Sequence, residues 1–198
     1  MTLIGSLLVA GFAAFMTGAL GWRLEYEQAP DEALPIMHAD SHRLRWIHWW
    51  MVAGVALTVS GLGGLAWSVS DAGTAVAAAA YSLGAALWVA ALVFRLSVGE
   101  WAAEQSVATG AVPAVYPPLA RWMSLCHGAH MMSAYLSAVP LGWSLARAGL
   151  IPGRLGWAGA IWGLGLAGTL LVPRLRFAAQ PPFWAHAFTL AIGIALLI

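Results

Sequence analysis

The sequence predicts an all-α polytopic membrane protein, a single bundle of six transmembrane helices, from three observations. First, the 198 residues are 61% hydrophobic and only 9% charged, with a mean hydropathy of +0.79. Soluble domains carry roughly 25% charged residues. Second, the apolar residues gather into runs near the ~20 residues that a helix needs to cross a bilayer. They fall at about 2–22, 46–69, 73–95, 119–146, 156–173 and 182–198. Third, these runs carry glycine- and alanine-rich faces ("GLGGLAW", "GTAVAAAAYSLGAAL", "GAIWGLGLAG"). Small residues let helices approach closely in lipid, where burying an apolar side chain against a neighbour gains little.

The first run lacks a basic leading segment and is longer than the apolar stretch of a typical secretion signal, so it reads as a retained span. The last run is short and barely spans. Trp22, Trp46, Trp49, Trp50, Trp101, Trp122 and Trp184 lie near the ends of the runs, where amphipathic rings anchor at the membrane interface. The loops after spans one, three and five hold Arg23, Arg43, Arg45, Arg95, Arg121, Arg174 and Arg176, against Arg147 and Arg154 on the other side. The positive-inside rule then places both termini outside. The first loop is polar, with one short interfacial helix expected around Asp31–His38. The third starts with Glu100 and Glu104 at helical spacing and becomes extended at its prolines. Pro140 is expected to kink span four.

Composition also excludes functions. All nine basic residues are arginine, so no lysine is present to form a retinal Schiff base. The net charge of +1 points to no nucleic acid. A single cysteine forms no internal disulfide. Asp and Glu are absent from the span interiors, which argues against proton-coupled transport through a buried carboxylate.

Metal-ligating residue types are distributed unevenly. All six histidines, the cysteine and every methionine except Met1 map to one half of the bundle. The densest stretch is "RWMSLCHGAHMM" at 121–132. Met123, His127, His130 and Met131 share one face of a helix there, since neighbours lie three and four residues apart. Intramembrane histidines are functional candidates by default.

Three readings follow. A b-type heme for electron transfer, exchanging electrons with a quinone, would take His48 and His127 as axial ligands, with His130 and His186 in supporting or reserve positions. A copper site would use Met123, Cys126, His127 and His130, with His48 or Met51 completing it, because thioether, thiolate and imidazole suit that metal. The plain alternative is packing, since methionine fills irregular gaps. The chain would then be a structural or accessory membrane subunit, held to lipids and partner subunits by its Gly/Ala faces and tryptophans. No catalytic set is identified, and the chain by itself is not expected to be an enzyme. Helix arithmetic puts His48 and His186 only ~5 Å beyond their span starts, close enough to the interface to be hydrated.

The last stretch "FWAHAFTLAIG" is loosely similar to the histidine helix of rhomboid-type intramembrane serine proteases. Span four has "MSLCHGAH" where those enzymes need Gly-x-Ser-Gly, and Ser124 and Ser133 lack the glycines that shape an oxyanion hole. The protease reading fails there. "ARAGLIPGRLGWAGAIWGLGLAG" and the later "PPFWAHAFTLAIGIALL" resemble the carboxyl-terminal third of uncharacterised bacterial six-helix integral membrane proteins. The likeness covers roughly residues 145–198. It implies the span count and a bacterial plasma-membrane location, and no activity.

Overall fold

A computed structural model describes residues 1–198 except for the side chain of Phe177, and it is helical with no strand among the described residues. Helix α1 (Thr2–Ala19) leads through a 3-10 turn (Leu24–Glu27) to the short α2 (Pro30–Ala39). Pro30 suits the first turn of α2, where its missing N–H has no partner to lose. Helix α3 (Ser41–Val69) ends at Ser70 in the left-handed region, φ 51°. The Asp71 side chain then accepts the Gly73 N–H at 2.9 Å and caps α4 (Ala72–Phe94). A π-helical turn (Arg95–Gly99) joins α4 directly to α5 (Glu100–Thr109). Helices α6 (Tyr116–Arg147) and α7 (Gly153–Leu171), the single turn α8 (Arg176–Ala179) and α9 (Phe183–Ala195) complete the chain.

Three stretches among the described residues are long and apolar enough to cross a membrane: Thr2–Ala19, Ser41–Val69 and the continuous Ala72–Thr109. Their outward faces carry large apolar side chains such as Leu3, Trp67 and Leu83. Trp46, Trp49, Trp50, Trp101 and Trp122 are also exposed. Helix α6 runs through Pro140 as one element.

Packing follows the small residues. Helices α1 and α3 meet where a Cβ on Gly54 would lie 2.6 Å from the Phe15 backbone nitrogen and 2.7 Å from the Gly11 carbonyl oxygen. Only glycine fits so close a backbone approach. Helices α6 and α7 cross in the same way at Gly142 and Gly156. Helix α4 packs along α6, and α9 packs against α1.

The segment before α3 is tied down by polar contacts. Arg23 pairs with Asp40 at 2.8 Å and with Glu25 at 3.1 Å. The Tyr26 hydroxyl donates to Asp40 at 2.6 Å. Burial, followed by the Asp40 carboxylate, pushes the Tyr26 hydroxyl up to about 12. The hydrogen bond from Tyr26, with Arg23 adding to it, holds the Asp40 carboxyl below its ordinary range despite desolvation. A depressed carboxyl contributes stability that is full above its unfolded pKa and is lost as pH falls through the folded value. Thermal melts in detergent from about pH 6 down to about pH 3 should therefore drop further for the wild type than for Asp40→Asn. Equal slopes would remove Asp40 from the acid response.

The helical spacing at Glu100 and Glu104 is the helix α5, and α4 runs on into it as far as Thr109, one π-turn absorbing the change of register. One expectation is corrected. His48 and His186 are not hydrated interfacial residues, being 1% and 0% exposed. Helix α9 has 13 residues, about 20 Å of rise, and it starts inside the bundle rather than at its rim.

Candidate functional site

The reason α9 starts inside lies in the segment before it. Ala179 is fully buried, and its carbonyl accepts the Tyr135 hydroxyl at 2.6 Å. The next carbonyl, of Gln180, bonds His127 Nε2 at 3.1 Å. The chain thus turns inward as irregular backbone, and side chains of α6 satisfy its carbonyls. Such backbone at membrane depth is tolerated where protein buries it or where it lines a site. This turn places His186, three residues into α9, against α3 and α4.

Four histidines face the interior, each held differently. On α3, His48 Nδ1 bonds the Leu44 carbonyl of the preceding turn, and its ring meets Trp22 edge-on at 6.0 Å. On α6, the His127 ring meets Trp88 at 4.6 Å. His130, a turn deeper, stacks on Trp88 at 5.6 Å with 17° between the planes and meets Tyr81 edge-on at 6.0 Å. On α9, His186 stacks on Phe15 at 4.2 Å and meets Tyr81 edge-on at 6.2 Å.

Close approach at Gly84 creates this arrangement. A Cβ there would lie 2.8 Å from Ser133 Cβ and 3.1 Å from the His130 carbonyl oxygen. Tyr81 and Trp88 are seven residues apart on α4, two turns along one stripe, so both reach the histidines.

The hydrogen bonds leave nitrogens open. His48 Nε2, both nitrogens of His130, and His186 Nε2 are buried without a partner. An unsatisfied buried polar atom costs about 1–3 kcal/mol; the three nitrogens of His130 and His186 lie near Tyr81 with the equally open Trp88 Nε1, and His48 Nε2 lies apart from them. At the deep end His186 Nδ1 lies 3.2 Å from Tyr81 Oη and 3.5 Å from Thr58 Oγ1, and Thr58 donates to the Gly54 carbonyl at 2.9 Å. With the Nδ1–H assigned as donor to Tyr81, His186 Nε2 is a bare lone pair. His48 Nε2 is in the same state, because its Nδ1–H goes to Leu44. This is the form in which imidazole ligates a metal, the other nitrogen being fixed by a backbone or side-chain acceptor.

The sequence-expected residues therefore divide. His130 and His186 come together around Tyr81. Thr58 follows His48 by ten residues, about 15 Å of rise, and Thr58 lies beside His186; His48 is thus much nearer the loop end of the bundle. The expected pairing of His48 with His127 is not what the open nitrogens favour, since His127 Nε2 is engaged by Gln180. The residues of the copper reading, Met123, Cys126, His127 and His130, all lie on α6, and the Met123 sulfur accepts the Arg95 Nε–H at 3.3 Å. Cys126 is buried and free. Among the described residues, no three His, Cys, Asp or Glu side chains converge as a metal-binding group. His38 and His42 stay exposed outside.

Sequence reasoning missed Tyr81, Trp88, Trp22 and Thr58. The seven-residue spacing of Tyr81 and Trp88 was the available signal. Glu100 pairs with Arg45 at 2.8 Å, whereas Arg95 lies 4.7 Å over the Trp22 ring and 3.4 Å from Glu27.

This geometry is the basis for any functional reading, because no protein-family model, curated protein or solved structure matches the chain.

Proposed function

We propose that this chain is a six-span integral membrane protein of the bacterial plasma membrane that holds a b-type heme on His130 and His186 and serves electron transfer. The observation that carries the reading is the set of three open imidazole nitrogens on two histidines beside Tyr81, with no buried Asp or Glu among the described residues. Neutral imidazoles from two different helices are what a b-type heme requires, and the donor chemistry of His130 and His186 matches it. Helices α6 and α9 supply the pair, Tyr81 and Thr58 lie against His186 Nδ1, and Trp88 stacks on His130. When bound, the heme would supply a one-electron couple whose potential is set by these ligands and the dry surroundings. The chain's own residues would hold it, exclude water and fix the tautomer. The six-span count rests on α6, α7 and the inward turn with α9 completing the bundle, with both termini outside.

A structural or accessory role is the second reading. It is favoured by the outer face of α7, where Trp157, Ile161 and Leu164 are exposed and nothing packs on Gly165 or Gly168. A partner helix would fit against such a face.

The test is an oxidised and dithionite-reduced absorption spectrum of the purified protein, with metal analysis of the same sample. A sharp reduced α-band with stoichiometric iron supports heme. Absence of pigment and metal from protein expressed with ample heme and iron would leave the accessory role.

A further inference from the structure

A second polar group sits at the loop end of the same interior and is not used by the deep histidines. His48 is 1% exposed and keeps Nε2 as an unpartnered lone pair. The Arg95 side chain is 16% exposed, and its single carboxylate contact, to the exposed Glu27, is long at 3.4 Å. Guanidinium carries five N–H donors, of which the structure engages one on the Met123 sulfur and one on Glu27. Trp22 touches both, with its ring 4.7 Å from the Arg95 guanidinium carbon and 6.0 Å from the His48 ring. Arg95 also opens the π-turn, and π-turns inside helices occur frequently at functional sites.

These three side chains ask for a particular ligand. The His48 lone pair needs a hydrogen-bond donor, such as a hydroxyl. The spare N–H groups of Arg95 need an acceptor oxygen. Trp22 offers an aromatic edge and face. The position, seven residues into α3, is shallow enough to be reached from the membrane. A quinol or quinone headgroup has all of these features: a flat ring with oxygens that accept as the quinone and donate as the quinol. A fatty acid carboxylate would satisfy Arg95 but leave His48 Nε2 facing an anion. Trp22 lies in the turn after α1, with its ring between Tyr26, His48 and Arg95.

We propose that Trp22, His48 and Arg95 form the headgroup site for a membrane quinone, the electron-exchange partner of this protein. The identity of the partner rests on the redox reading above, whereas the binding site does not require heme.

The experiment is equilibrium binding of the reduced headgroup, decylubiquinol kept anaerobic, to the purified full chain in detergent, corrected for partition into empty micelles. Saturable binding is expected for the wild type. His48→Phe and Arg95→Leu should each weaken it at least about tenfold, the loss of one buried hydrogen bond to a charged or desolvated group. His38→Ala, on the exposed face of α2, should leave it unchanged. Arg95→Lys, which keeps the charge and the fold, should recover part of the loss. Binding that never saturates in the wild type overturns the proposal, as does binding that the His48 and Arg95 variants leave intact. Oleate displacing decylubiquinol with higher affinity would also overturn it, in favour of a carboxylate site. An absent α-band with saturable quinol binding overturns the heme reading alone. An α-band without quinol binding overturns this inference alone.

Discussion

His130→Ala abolishes the reduced α-band and lowers bound heme to less than about a tenth of the wild-type amount, because removal of a direct ligand exceeds the roughly 10–100-fold cost of losing an outer-shell partner. His186→Ala gives the same result. Both rings are fully buried and meet Tyr81 edge-on, and each has a nitrogen with no other partner. His127→Ala has a smaller effect, a weakened but present band, since its Nε2 fixes the Gln180 carbonyl and so acts on His186 through the inward turn. His38→Ala, on the exposed loop helix, changes nothing. Tyr81→Phe removes the acceptor of His186 Nδ1–H, so it frees the tautomer and shifts the midpoint potential while retaining heme. A band that survives His130→Ala and disappears in His48→Ala would reassign the ligand while leaving the cofactor in place.

Gly54→Leu destabilises the protein by on the order of 3 kcal/mol or prevents its assembly, at the upper end of the usual cost of overpacking. The first atom of the new side chain already meets the Phe15 nitrogen at 2.6 Å and the Gly11 carbonyl at 2.7 Å. These are backbone atoms of a packed helix and cannot rotate away. Gly63→Leu on the same helix is the control, because nothing lies within 4 Å of a Cβ there. Thermal melts in detergent should separate the two variants widely. Similar melting temperatures would mean that α1 and α3 are not held by this crossing. The loss should extend to the site, since the crossing seats Phe15 against His186 and brings Thr58 beside it.

The helical character and the apolar runs were legible because they depend on composition summed over many residues. The short helix of the first loop was legible too: Pro30 starts it, and α2 covers the expected 31–38 region. Hydropathy overlooked the continuation of α4 into α5, because a helix does not stop where its residues become polar. All four interior histidines were legible as candidates from their segregation to one half of the bundle. Their pairing was not, since helix rotation and depth are unknown without neighbours. His186 shows this most plainly. Counted from its span start it belongs at the interface, yet the turn held by Tyr135 and His127 carries it to the level of Thr58 and Tyr81.

By itself the sequence determined that the chain is helical and apolar, that its glycines permit close crossings, and that its imidazoles lie toward one side. Those properties follow from residue chemistry and local spacing. Only the tertiary structure decided which imidazoles meet, which of their nitrogens are already bonded, and that Arg95 stands over Trp22 instead of joining Glu100. Each of those depends on distances between residues far apart in the chain, and they are set where Gly54 and Gly84 let the helices close.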